Sequence, residues 1–170
     1  MTLAEKYIAA KPVKALTPIK AGPGNREDIL RKVAPALRGL FHQHSGSSWV
    51  VHYRESEKAR AFAASEECAV WSQIGTATPD HVIRTKQKPL LLSLKNINDP
   101  QKLRDELSQA LERYIEAYHQ YFKANKEKKG ADKKELDPLP RVILVVGLGL
   151  LTIGATVKDA RIAADIYEHT

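Results

Sequence analysis

Cysteine is almost missing from this sequence of 170 residues: Cys68 stands alone, so neither an internal disulfide nor a cysteine-based zinc cluster can form. Long apolar runs are missing too. The longest uncharged stretch, between Arg141 and Lys158, is interrupted by three glycines and is too short for a spanning helix. A secretory signal is absent because Glu5, Lys6, Lys11 and Lys14 break up the N-terminus. These absences predict a cytoplasmic protein without a membrane partner. Wholesale disorder is excluded by 43% apolar and 28% charged residues, and the length suits one domain of ordinary size.

The positive charge is concentrated rather than spread. The net charge is +7, and the stretch KANKEKKGADKK at 123–134 holds six lysines against Glu127 and Asp132, which is +4 of that total. With two alanines as its only apolar residues, it reads as a solvated loop. A nucleic-acid surface would interleave arginines with aromatics on one face, and this stretch has neither. No nucleic-acid partner is expected.

Along the chain, helical and strand patterns alternate. Residues 1–10 read as an amphipathic helix, followed by a proline- and glycine-rich linker, so 1–24 is set apart from a domain at 25–170. From Asn25, Ile29, Leu30, Val33, Leu37, Leu40 and Phe41 share a helical face, and Pro35 should kink or restart that helix. HQHSGSS reads as a polar turn and SWVVHY at 48–53 as a strand. Ser56 can cap a helix running through Cys68, while Thr78, Pro79 and Asp80 suit another helix start. Leu90–Leu94 is a strand candidate. Asp99 opens the clearest helix, with Leu103, Leu107, Leu111, Tyr114, Ile115, Tyr118 and Phe122 at helical spacing. RVILVVGLGLLTIG gives two strand-like runs around a glycine turn, and Thr156 caps a closing helix. Helical patterns at both ends, without clear start or stop signals, suggest a piece of a longer polypeptide.

Three motifs invite chemistry. GLGLLTIG resembles a dinucleotide turn only superficially: Gly149 and Gly154 are five apart, and strand formers lie between them. A tight turn between strands is the better reading. Among six histidines, His42 and His44 alternate beside SGSS, and His52 ends an apolar strand. Zinc requires three or four converging imidazoles, carboxylates or thiolates, and spacing supplies no such set. TPDHVIRTK is the densest polar group. There His81, Arg84 and Lys86, near a helix start, form a candidate binding set for a phosphate or carboxylate. Only part of that set can share one helical face.

TPDHVIRTK, LDPLPRVILVVGLGLLTIG and KDARIAADIYEHT together resemble one region of the bacterial bifunctional rhamnulose-1-phosphate aldolase/short-chain alcohol dehydrogenases, over roughly residues 34–170. In that family the region lies between an aldolase domain and a Rossmann dehydrogenase. SWVVHYRESEKARAFAAS is similar to the class II aldolase unit whose His-x-His pair binds zinc. RVILVVGLGLLTIGATVKDARIAADIYEH is similar to the unit whose His-Gly turn gives the third ligand. The resemblance places His52 at the first ligand position, Arg54 at the second and Leu148 at the third. Neither a guanidinium nor a hydrocarbon donates a lone pair to zinc.

The resemblance therefore implies an α/β fold of the class II aldolase/adducin type, with three layers and a mainly antiparallel sheet flanked by helices. It implies a degenerate, non-catalytic aldolase-like domain that supports assembly of a sugar-phosphate enzyme of rhamnose-type metabolism. Adjoining aldolase and dehydrogenase domains, a sugar phosphate and further copies of the chain are the expected partners. Zinc and NAD are implied for the full-length enzyme, with no cofactor in this segment. No catalytic residue is assigned, and His52 is the one weak metal candidate. The rival readings are a working metal-dependent lyase using His42, His44, His52 and His81, and an adducin-like interaction module presenting the lysine stretch to an acidic partner.

Overall fold

The computed structural model describes residues 2–11, 15–19, 24–129 and 132–170. The elements run α1 (Leu3–Ala9), α2 (Arg26–Ser45), β1 (Val50–Arg54), α3 (Glu57–Ala63), α4 (Cys68–Trp71) and α5 (Pro79–Thr85). They continue as β2 (Leu90–Leu92), α6 (Pro100–Lys129), β3 (Val142–Val145), β4 (Gly149–Gly154) and α7 (Val157–His169).

The four strands form one sheet in the order β1-β4-β3-β2. β1 pairs antiparallel with β4, and β4 with β3, but β2 runs parallel to β3. The sheet is therefore mixed, which corrects the expectation of a mainly antiparallel one. The cause is the 30-residue helix α6 between β2 and β3. A crossover of that length returns the chain to its starting end, so the next strand joins in parallel.

Strand alternation sends side chains to two faces, each covered by helices. Ile143, Val145, Leu151 and Ile153 pack with Leu37 and Phe41 of α2 and Leu107 and Leu111 of α6. Val142, Leu144 and Leu150 meet Ala59 and Ala63 of α3 and Cys68 of α4, with Tyr167 of α7 alongside. Small residues on α3 and α7, including fully buried Ala160 and Ala164, let these helices approach the sheet closely. Thr152, also fully buried, donates its hydroxyl to the Ala160 carbonyl at 2.7 Å.

Four local expectations need amendment. Pro35 does not restart α2, which runs unbroken from Arg26 to Ser45. Pro35 is on the exposed side, so the carbonyl it deprives of a partner can turn to water. The polar turn begins later than expected, because His42 and His44 belong to the last turn of α2, closed by Gly46 at φ 68°. The helix capped by Ser56 ends at Ala63, and a second short helix starts at Cys68. The intervening backbone is diverted to the N-terminal segment: Ile19 N–H donates to Ala64 O, and Glu66 N–H to Thr17 O. Finally, much of the lysine stretch is helix, since α6 continues through Lys129. Alanine, lysine and glutamate are good helix formers, and the cations lie at the negative end of the dipole.

The turn reading of GLGLLTIG is seen directly. β3 and β4 are consecutive antiparallel strands, with Gly147 at φ 78° between them and Gly149 at φ 135° opening β4. Among the described residues, no helix is long and apolar enough to cross a membrane.

Candidate functional site

His52 and Arg54 sit on β1 opposite Thr152 and Leu150, on the sheet face that α7 covers. The guanidinium of Arg54 is held by two carboxylates of α7. It pairs with Asp165 through one terminal nitrogen, and its buried Nε lies 3.3 Å from Glu168 as an ion pair without hydrogen-bond alignment. Asp165 and Glu168 are three residues apart and so share a helical face. Leu148 lies elsewhere. It is buried with the α2 and α6 cluster, and its carbonyl accepts the Tyr53 hydroxyl at 3.2 Å. His52, Arg54 and Leu148 thus differ in chemistry and do not converge, so these residues do not fit a zinc ion.

The remaining histidines are scattered. His42 and His44 are exposed at the end of α2, with His42 Nδ1 3.1 Å from Ser47 O. His81 is half-buried on α5, and its Nδ1 is enclosed without a hydrogen-bond partner among the described residues. No group of three or more histidine, cysteine, aspartate or glutamate side chains could hold a metal ion among the described residues.

Burial and the neighbouring Arg54 and Arg161 lower the pKa of His52, in that order of importance. The folded state consequently binds fewer protons than the unfolded one below the ordinary histidine value of about 6.5. This stabilisation is complete above that value and is lost as pH falls through the folded pKa. The urea midpoint of the wild-type protein should therefore drop more between pH 7.5 and pH 5 than that of His52→Gln. Equal drops would show that His52 contributes nothing to the acid sensitivity.

His81, Arg84 and Lys86 do not present their polar atoms together. Arg84 is exposed and lies 3.8 Å from Asp159 on α7. Lys86 follows α5 at φ 62°, and its side chain turns inward. The ammonium donates to the carbonyl of Asp137, lies 3.4 Å from the Tyr118 hydroxyl and sits over the Tyr118 ring at 4.5 Å. Burial lowers its pKa, partly offset by Asp137. Arg84 instead lines a cleft of about 170 Å³ with Trp49, Arg141, Gly154 and Asp159. Arg141 was not legible as a site residue. It pairs with Asp137, four residues before it, and stacks 4.8 Å from the ring of Trp49, a partner so distant in sequence that no local spacing announces it.

A larger cleft of about 320 Å³ opens beside α4, lined by Phe62, Trp71, Leu144, Leu150 and Tyr167. Two weakly acidic groups beside it are kept in their protonated forms. Burial pushes the Cys68 thiol up to about 11, and it also raises Tyr167. A thiol in that state is a poor nucleophile at neutral pH.

A family model described as aldolase class II, second domain, matches residues 28–170. The chain belongs to that family. A relative from Bacillus subtilis (strain 168), named uncharacterized oxidoreductase YuxG, is 27% identical over 146 residues. The match covers 85% of this chain and 20% of that protein, so the chain spans about a fifth of the curated relative's length. No solved structure matches. The aldolase class II second domain seen here is thus a four-stranded mixed sheet flanked by helices, with an arginine–carboxylate seam at the β1–α7 contact.

Proposed function

We propose that this second domain is a non-catalytic aldolase-like module within a bifunctional sugar-phosphate aldolase/dehydrogenase of rhamnose-type metabolism. Its role is to support assembly with the adjoining aldolase and dehydrogenase domains. One observation carries the reading. At the position where the resemblance puts a zinc-binding histidine, Arg54 is tied to Asp165 and Glu168 of α7. A cation bound by two carboxylates joins the helix to the sheet and leaves no lone pair for a metal. The oxidoreductase name of the relative supports the dehydrogenase half of the proposed parent enzyme.

The test is metal content. Chelator-washed protein with zinc restored should retain close to none per protomer by elemental analysis, and it should not cleave rhamnulose 1-phosphate. One firmly held zinc per protomer, released by His52→Ala, would overturn the proposal.

A further inference from the structure

The cleft of about 170 Å³ at the start of α7 brings together two guanidiniums that lie far apart in the sequence, Arg84 and Arg141. Each is prepared differently. Arg141 is held in place: it is 19% exposed, donates to the Leu139 carbonyl at 3.0 Å and to Asp137, and lies over the Trp49 ring. Trp49 is itself fixed, with its Nε1–H donating to Ser45 Oγ at 2.8 Å and its ring edge-on to Phe41. An arginine has several N–H donors in a planar fork, so Arg141 keeps donors to spare.

Arg84, on α5, is 54% exposed and makes no hydrogen bond among the described residues. The nearest oxygen of Asp159 is 3.8 Å away, beyond the roughly 2.9 Å reach of a charge-assisted hydrogen bond. The other oxygen of that carboxylate accepts from the Thr156 hydroxyl at 2.7 Å. Asp159 thus attracts Arg84 by charge without taking up its donors. Of His81, Arg84 and Lys86, the set expected from the sequence, only Arg84 lines this cleft, and Arg141 stands in for the buried Lys86.

The rest of the lining bears on what such a pair would take. Gly154 and Ala155 lie where β4 passes into α7, so the positive end of a 13-residue helix adds to the field of the two arginines. Trp49 and Ile83 supply an apolar side. One planar fork satisfies a carboxylate. A phosphate monoester has three free oxygens and a charge of about −2, which suits two forks. The volume is well below the roughly 300 Å³ at which pockets for whole small molecules begin, so it fits a phosphate and the first carbons of its ester.

We infer that Arg84 and Arg141 clamp the phosphate of a phosphate monoester in this cleft, with Trp49 and Ile83 against the ester carbons. The site is separate from the zinc question and stands whether or not the domain holds a metal.

Nuclear magnetic resonance of the isotope-labelled chain tests it, by titration with inorganic phosphate and with methyl phosphate at an ionic strength held constant with sodium chloride. The Trp49 indole N–H signal should shift saturably with a Kd of about 1 mM, and methyl phosphate should bind no more weakly than inorganic phosphate. Arg84→Gln, at an exposed position, should weaken binding about tenfold, and Arg84→Lys should restore only part of it because the fork is lost. Asp159→Asn removes the competing charge while keeping an oxygen for Thr156, and should tighten binding about threefold, a gain that misfolding cannot produce. A shift that does not saturate, or that sodium chloride alone reproduces, overturns the inference. So does an Arg84→Gln protein that binds as tightly as wild type. Acetate binding as tightly as phosphate would overturn it in favour of a carboxylate ligand.

Discussion

Gly154→Ala is expected to destabilise the domain by about 4 kcal/mol, near the upper end of what single substitutions do. The effect comes from space rather than from backbone freedom. A methyl group at Gly154 would lie 2.4 Å from the Ala160 nitrogen and 2.9 Å from both the Thr156 carbonyl and Asp159 Cβ. Two of these are backbone atoms of α7 or its cap, so no side-chain rotation can relieve the clash. The first turn of α7 would have to lift from the end of β4, against the bond from Thr152 to the Ala160 carbonyl. Urea denaturation of the two proteins measures the cost, with a fall in Tm of roughly 10 °C for a chain of this size. Gly39→Ala is the control, since a methyl there meets nothing within 4 Å inside a helix. It should be neutral or slightly stabilising. A Gly154→Ala protein within about 1 kcal/mol of wild type would show that α7 is free to slide on the sheet.

That packing marks the boundary of what the amino-acid order reveals. Local chemistry announced most elements. Asn25, Ser56 and Thr156 cap their helices with side-chain oxygens, and the leucine spacing of α6 matches its buried face at Leu103, Leu107 and Leu111. The glycine turn between β3 and β4 was legible because its spacing contradicts a dinucleotide loop. Features depending on distant partners were not. The split between α3 and α4 depends on a segment 50 residues upstream, through Thr17 and Glu67. The parallel pairing of β2 with β3 depends on α6 carrying the chain back to the starting end of the sheet between them. In the same way the sequence marks Arg54 only as a residue unable to bind zinc, and its partners Asp165 and Glu168 become visible in the fold.

Lys86 shows the same limitation most sharply, and it carries the second large expected effect. In sequence it stands two residues from Arg84 in a polar motif, a natural anion ligand. In the fold it is 4% exposed, with its ammonium committed to the Asp137 carbonyl and the Tyr118 ring. Lys86→Ala should therefore cost about 3 kcal/mol, since it leaves a carbonyl without its charged donor and opens a void along the lost stem. Lys86→Met should cost about half as much or less, because it keeps the stem over Tyr118 and removes a charge that burial already disfavours. Both proteins keep the backbone at φ 62° occupied by a side chain, so strain there is common to the pair. Urea midpoints of the three proteins at pH 7 provide the measurement. An alanine variant within about 1 kcal/mol of wild type would mean that the ammonium is not held inside, and would return Lys86 to the surface as an anion ligand beside Arg84.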